Sequence, residues 1–131
     1  MNRQPRLATA ILLIASACAC CSRPADGPPG LASRLTSDAA RRNGRDLYGK
    51  YCAFCHGAHG DGQGPRSSAF ATPPRDLTSS AWRQSVTPLR VFRTLRDGIP
   101  GTAMPAWQVL GDDALADLTA YVLTLGTRTP S

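Results

Sequence analysis

Apolar positions in this chain fall into three separated helical patterns and one N-terminal run. Leu47, Tyr48 and Tyr51 share one face of a 3.6-residue period. They predict a helix from Ser37 or Asp38 to about Cys52, with Ser37 as its cap and Asp38 at the positive end of its dipole. Gly44 interrupts it. A mid-helix glycine costs ~1 kcal/mol relative to alanine, so it marks either a close approach by another element or a tolerated weakness. A second helix is expected to begin at Pro88, capped by Thr87 or Ser85, and to stop at Gly98 after about Asp97. Leu89, Phe92 and Leu95 recur at every third position and are expected to face the interior. The adjacent Arg90, Arg93 and Arg96 form a basic stripe, read either as a solvated face or as a docking surface for an acidic partner. The last helix starts near Gly111 or Asp112, buries Leu115, Leu118, Val122 and Leu125, and ends by Gly126. The domain from Arg34 to Gly126 thus reads as helices joined by long loops, followed by a short tail over 127–131.

The N-terminal run has a different character. Arg3 and Arg6 precede the apolar stretch Leu7 to Ala17, which closes on the small residues Ala15-Ser16-Ala17. That order of charge, apolar run and small-residue site predicts an export signal over 1–17. Ala15-Ser16-Ala17-Cys18 also resembles a bacterial lipoprotein box, although that box usually carries Leu where Ala15 stands. Two outcomes are open: lipidation of Cys18, or plain cleavage after Ala17. Residues 18–33 are rich in Pro and Gly and are expected to be a linker or tether.

Composition narrows the function classes. Fifteen Lys+Arg against nine Asp+Glu give a formal charge of +6, and loss of Arg3 and Arg6 with the signal leaves +4. The excess permits an acidic partner without being a nucleic-acid footprint. No apolar run reaches the length of an ordinary membrane-spanning helix, and no repeat points to a solenoid. Aromatics are only 6% of the chain, so a domain this small needs something further to fill its core.

Cys52-Ala53-Phe54-Cys55-His56 supplies it. In an exported chain, C-x-x-C-H is the attachment site of a c-type haem. Two thiols add to the two vinyl groups on one edge of the porphyrin, and the imidazole that follows reaches the iron from one face. A thioredoxin-like dithiol would sit beside a βαβ pattern that is missing here. A zinc site from Cys52, Cys55, His56 and His59 would crowd four ligands into one short stretch, unlike ordinary zinc modules. A disulfide between the two cysteines would leave His56 unexplained. The expected cofactor is therefore one haem c, covalently held by Cys52 and Cys55, with His56 as one metal ligand.

For the opposite face, the chain without its signal offers His59 and Met104. His59 stands three residues from His56, too close to be carried around the macrocycle. Met104 lies in the Gly/Pro loop Gly101-Thr102-Ala103-Met104-Pro105-Ala106-Trp107, and elimination favours it over mere core filling. A His/Met pair closes the iron to substrates and favours Fe(II), which predicts electron transfer. The haem propionates need hydration or pairing. Arg75 and the indole N–H of Trp82 are candidate partners, with surface Arg and core Trp as the alternatives. Trp107 is a candidate neighbour of Met104.

Taken together, Cys52 to Gly57, Gly60-Asp61-Gly62-Gln63-Gly64-Pro65, Pro73-Pro74-Arg75-Asp76-Leu77 and Gly101 to Trp107 resemble class I cytochromes c. They are most similar to the short bacterial monohaem group related to the cytochrome subunits of cbb3-type oxidases. The resemblance, over about 38–125, implies an all-α fold of four to five short helices around one haem. It implies that Gly44 packs against Tyr121, and that the Pro65 carbonyl accepts a hydrogen bond from His56 Nδ1. With the export signal and the His/Met pair, the expectation is an electron carrier of the bacterial periplasm, free or membrane-held through Cys18, serving redox proteins, membrane-bound respiratory complexes being one candidate. Neither nucleic acid nor a small-molecule substrate at the iron is expected. Two further readings remain: a permanent subunit of a larger oxidase or dehydrogenase, and a haem sensor or peroxidase-like enzyme in which Met104 dissociates.

Overall fold

The computed structural model describes residues 27–127. The export signal, Cys18 and the end of the tail lie outside them. The described residues contain six α-helices: α1 (Leu31–Thr36), α2 (Asp38–Tyr51), α3 (Ala53–His56), α4 (Ser80–Ser85), α5 (Pro88–Asp97) and α6 (Asp112–Val122). Two 3-10 turns, Ser67–Ala69 and Gln108–Leu110, complete the order, and no strand occurs among the described residues.

The helix starts follow local chemistry. The Ser37 hydroxyl accepts a bond from Ala40 N–H at 3.3 Å, Thr87 does the same for Arg90 N–H at 3.2 Å with Pro88 just inside the helix, and Ser79 caps α4. Asp112 and Asp113 occupy the first turn of α6. α6 ends at Val122, and the chain continues through turns to Gly126.

α2 and α6 cross at Gly44. A Cβ there would collide with the Asp117 carbonyl oxygen and lie 2.8 Å from Tyr121 Cβ, so the helix backbones meet at a distance that only glycine allows. Beside the crossing, the rings of Tyr48 and Tyr121 pack tilted with centroids 5.3 Å apart. Leu115, Leu118 and Phe92 are almost wholly buried in the same core. Burial of such a side chain contributes roughly 1.5–3 kcal/mol.

The folded domain begins earlier than a boundary at Arg34. Leu31 is 3% exposed in the core, and α1 packs on α6. Arg34 donates to the buried Asp117 carboxylate at 2.7 Å and pairs with Asp113 at 3.0 Å, while Asn43 of α2 donates to the other Asp117 oxygen. One carboxylate thereby ties α1 and α2 to α6. The Pro/Gly composition upstream concealed this helix.

Tyr48 also fixes the entry to the next segment. Its hydroxyl donates to the Gly57 carbonyl at 2.8 Å, and burial pushes its phenol well above the usual range. Tyr48→Phe is expected to lower stability by about 1 kcal/mol in thermal denaturation. The loss stays at that level because Gly60 N–H also serves the same carbonyl, at 3.2 Å.

Candidate functional site

A cavity of about 1090 Å³ opens beside the α2–α6 pair. Tyr48, Cys52, Cys55 and His56 form one wall, the segment Pro73–Leu77 a second, and Trp82, Val86, Val91 and Leu95 of α4 and α5 a third. The loop carrying Met104 closes the remaining side, with Val122 of α6 at the back.

α3 is a single turn that starts at the end of α2, with Cys55 N–H and His56 N–H both bonded to the Cys52 carbonyl at 3.1 and 2.9 Å. Residues three apart in such a turn are neighbours, which brings the two thiols to one side of the cavity. Cys52 is buried, which raises its thiol to about 12, and Cys55 is half-buried. His56 Nδ1 lies 3.1 Å from the Arg75 carbonyl oxygen. A carbonyl only accepts, so Nδ1 carries the proton and Nε2 holds the free lone pair. Burial lowers the His56 pKa, partly opposed by the Arg75 carbonyl. The neutral ring, the form that can ligate a metal, is thereby favoured.

This corrects the expected partner of His56. Pro65 is exposed and does not line the cavity. The carbonyl comes instead from Arg75, because the loop after α3 doubles back: Gly62 N–H bonds the His56 carbonyl at 2.8 Å and Leu77 N–H bonds the Gly60 carbonyl at 2.7 Å. That pairing lays Pro73–Leu77 against the imidazole.

Met104 is half-buried and lines the cavity. Its loop is pinned at several points. Ile99 N–H bonds the Met104 carbonyl at 3.1 Å, Met104 N–H bonds the Thr102 hydroxyl at 3.2 Å, and Trp107 N–H bonds the Leu95 carbonyl at 2.8 Å. Gly98 ends α5 at φ +68°, and a Cβ there would lie 2.8 Å from both the Met104 carbonyl and Ala106 N. The Met loop therefore rests directly on a backbone position that excludes other residues. Trp107 lines the cavity too, its ring 5.4 Å from that of Tyr51.

Arg75 and Trp82 both reach the cavity, whereas His59 is exposed and outside its lining. α5 turns Phe92 and Leu95 inward, as its spacing predicts, and Leu89 alone departs. Val91, Thr94 and Leu95 line the cavity and Phe92 enters the core, while Leu89 faces the Gly27–Leu31 segment. The basic stripe divides: Arg90 lines the cavity, Arg93 is exposed, and Arg96 pairs with Asp97 at 2.8 Å. Arg66, Arg90, Val91 and Gly98 were not singled out as site residues. Their signal lay in position relative to distant segments, which spacing along one helix does not carry.

The residues fit a haem c. The cavity exceeds the ~300–1,000 Å³ of common small-molecule sites. Its walls place two thiols on one turn, a neutral imidazole beside them and a thioether on another loop. Asp76 is the acid of its lining, and that carboxylate accepts bonds from Thr78 and Ser79, which hold its pKa low.

Comparison with known proteins agrees. Residues 39–122 match the family model described as cytochrome c oxidase, cbb3-type, subunit III. The cbb3-type cytochrome c oxidase subunit CcoP of Azospirillum brasilense is 33% identical over 97 residues, covering 73% of this chain and 32% of that protein. Subunit FixP of Azorhizobium caulinodans is 32% identical over 88 residues, covering 66% and 28%. The chain thus spans about a third of the length of these relatives. A chain of the reducing HAO-like protein complex of Kuenenia stuttgartiensis superposes with a TM-score of 0.63 at 31% identity, over 68% of this chain and 44% of that one. The chain therefore belongs to the cbb3-type cytochrome c oxidase subunit III family, and its all-α domain is a class I cytochrome c domain, whose prosthetic group is haem c.

Proposed function

We propose that this chain carries one haem, bound covalently through Cys52 and Cys55 and ligated by His56 and Met104, and passes single electrons between redox proteins of the bacterial cell envelope. The observation that carries this reading is the convergence of those four side chains, from the α2–α3 junction, α3 and the loop after α5, on one cavity. The haem supplies an iron that alternates between Fe(III) and Fe(II). The chain's own residues hold it in place. Arg75 fixes the proton on His56 Nδ1, Gly98 and Thr102 fix the Met104 loop, and the apolar side chains of α5 and α6 exclude water. Phe54, between the two cysteines, is 58% exposed. That exposure supports the thioether edge as the place where electrons enter and leave.

The test is expression of the whole precursor in a host that matures c-type haem. A covalent c-type spectrum is expected. Cys52→Ala and Cys55→Ala are each expected to shift the reduced band by leaving one thioether, and the double variant is expected to lose covalent haem altogether. Full haem retention by the double variant in denaturing gels would refute the attachment.

The relatives named as oxidase subunits favour a second reading, a domain permanently associated with a larger redox complex. Co-purification at a fixed ratio selects it, and a clean monomer selects a carrier. Export through residues 1–17, with Cys18 as a lipid-bearing residue, would hold the domain near membrane partners and raise its effective concentration there. None of the described helices is long and apolar enough to cross a membrane. Partition of the precursor between membrane and soluble fractions, with and without Cys18→Ala, tests the anchor.

A further inference from the structure

The loop that carries Met104 is bonded to itself more than to the rest of the domain. Among the described residues, every hydrogen bond of the segment from Ile99 to Met104 runs between two of its own members. Ile99 N–H donates to the Met104 carbonyl at 3.1 Å, and Thr102 N–H donates to the Ile99 carbonyl at 3.2 Å. The Thr102 hydroxyl joins the two halves. It donates to the Ile99 carbonyl at 2.8 Å and accepts from Met104 N–H at 3.2 Å. Threonine hydroxyls bond their own backbone two residues on in turns of this kind. The hydrogen bonds that tie the loop to α5 lie outside the segment. Gly98 N–H bonds the Thr94 carbonyl at 2.9 Å, and Trp107 N–H bonds the Leu95 carbonyl at 2.8 Å.

Two features make that hydroxyl consequential. Gly101, at the tip, has φ +76°, and a Cβ there would meet nothing within 4 Å, so no neighbour resists outward movement of the tip. Met104 N–H has the Thr102 hydroxyl as its acceptor and no other among the described residues. Without that hydroxyl, the main chain at Met104 keeps one hydrogen bond, from Ile99 N–H.

We propose that Thr102 is a positioning residue that latches the Met104 loop: its hydroxyl sets how often Met104 leaves the iron, and so how firmly the centre stays closed to outside ligands. This inference deepens the haem reading above and rests on it. An outside ligand enters from the open form, so its observed rate of binding scales with the population of that form. A thioether favours Fe(II), so the ferric protein is the form in which opening is read. Loss of the hydroxyl is expected to raise the open population about tenfold, the upper end of what a single hydrogen bond holds.

The test is the rate at which imidazole binds the ferric holoprotein in the unsubstituted chain, Thr102→Val, Thr102→Ser and Thr36→Val. Valine keeps the shape and removes the hydroxyl, while serine keeps the hydroxyl. Thr36 is the control, an exposed threonine outside the cavity lining whose hydroxyl also bonds three residues back, to the Ser33 carbonyl at 3.1 Å. Thr102→Val is expected to bind imidazole about tenfold faster. Thr102→Ser and Thr36→Val are expected to stay close to the unsubstituted rate. An unchanged rate in Thr102→Val, with the sulfur-to-iron charge-transfer feature intact, would overturn the latch and leave Met104 as a ligand. A rate in Thr102→Ser as high as in Thr102→Val would assign the effect to the methyl group and overturn the latch as well. An equal rise in Thr36→Val would show a general loosening of the fold, with the same consequence. Absence of the charge-transfer feature from the unsubstituted ferric protein would overturn Met104 ligation together with the latch.

Discussion

Met104→Ala is expected to remove the sulfur-to-iron charge-transfer feature from the oxidised spectrum and to leave covalent haem in place. The thioether favours Fe(II), so its loss is expected to lower the reduction potential. Axial ligands command a range of ~0.8 V, and a fall on the order of 0.1 V or more is anticipated. The vacated position should also let the ferrous protein bind carbon monoxide, whereas the unsubstituted protein is expected to resist it. Structure gives the alternative ligand little room: His59 is exposed and outside the cavity, on a loop whose Gly60 and Gly62 amides are tied to Gly57 and His56. Persistence of the charge-transfer feature in Met104→Ala would remove Met104 from the iron. Carbon monoxide binding to the unsubstituted ferrous protein would instead move the sensor or peroxidase-like reading forward.

Gly44→Ala is expected to destabilise the protein although alanine is the better helix former. In an exposed helix interior the same substitution stabilises by ~1 kcal/mol. Here the added carbon meets the Asp117 carbonyl and lies 2.7 Å from its carbonyl carbon. Neither is the far end of a side chain that can swing away. Separating α2 from α6 would also loosen the Tyr48–Tyr121 packing and the Arg34–Asp117–Asn43 cluster. Overpacking of this kind costs ~1–3 kcal/mol or more, so the propensity gain is outweighed. A drop in denaturation midpoint for Gly44→Ala, and a larger one for Gly44→Val, is the expected result in the holoprotein. The contrast is Gly49, five residues along the same helix, where a Cβ would meet nothing within 4 Å. Gly49→Ala should be neutral or stabilising. Equal behaviour of the two variants would mean that the α2–α6 crossing yields easily.

Much of this was legible beforehand because it is local. Ser37, Thr87 and Pro88 start helices through groups within one turn of themselves, and the period of α6 names Leu115, Leu118 and Val122, although the fold buries every residue from Leu115 to Val122. Cys52, Cys55 and His56 carry their chemistry in adjacent positions, so haem attachment could be proposed without a fold. Met104 could be proposed by elimination, since few residue types can ligate iron. Other features depended on segments distant in sequence. α1 is short and follows a Pro/Gly stretch; its place comes from Leu31 in the core and from Arg34 on Asp117. α4 is a single six-residue helix with no periodic apolar stripe, set by the Ser79 cap and by turns on Asp76.

The sequence by itself determined the cytochrome c class and the helical nature of the domain, and it was enough to propose the ligands of the centre, because thiol spacing, caps and periodicity act over one or two turns. Only the tertiary structure decided which carbonyl steadies His56 and which further residues of α5 line the cavity. The loop from Gly57 to Leu77 could return along many paths. Its hydrogen bonds at Gly60 and Gly62 chose the one that puts Arg75, rather than Pro65, beside the imidazole. The rest of the α5 lining was settled in the same way. Packing against α6 takes Phe92 and Leu95 inward, as their spacing predicts, and brings Val91 and Arg90 to the cavity, which that spacing did not name.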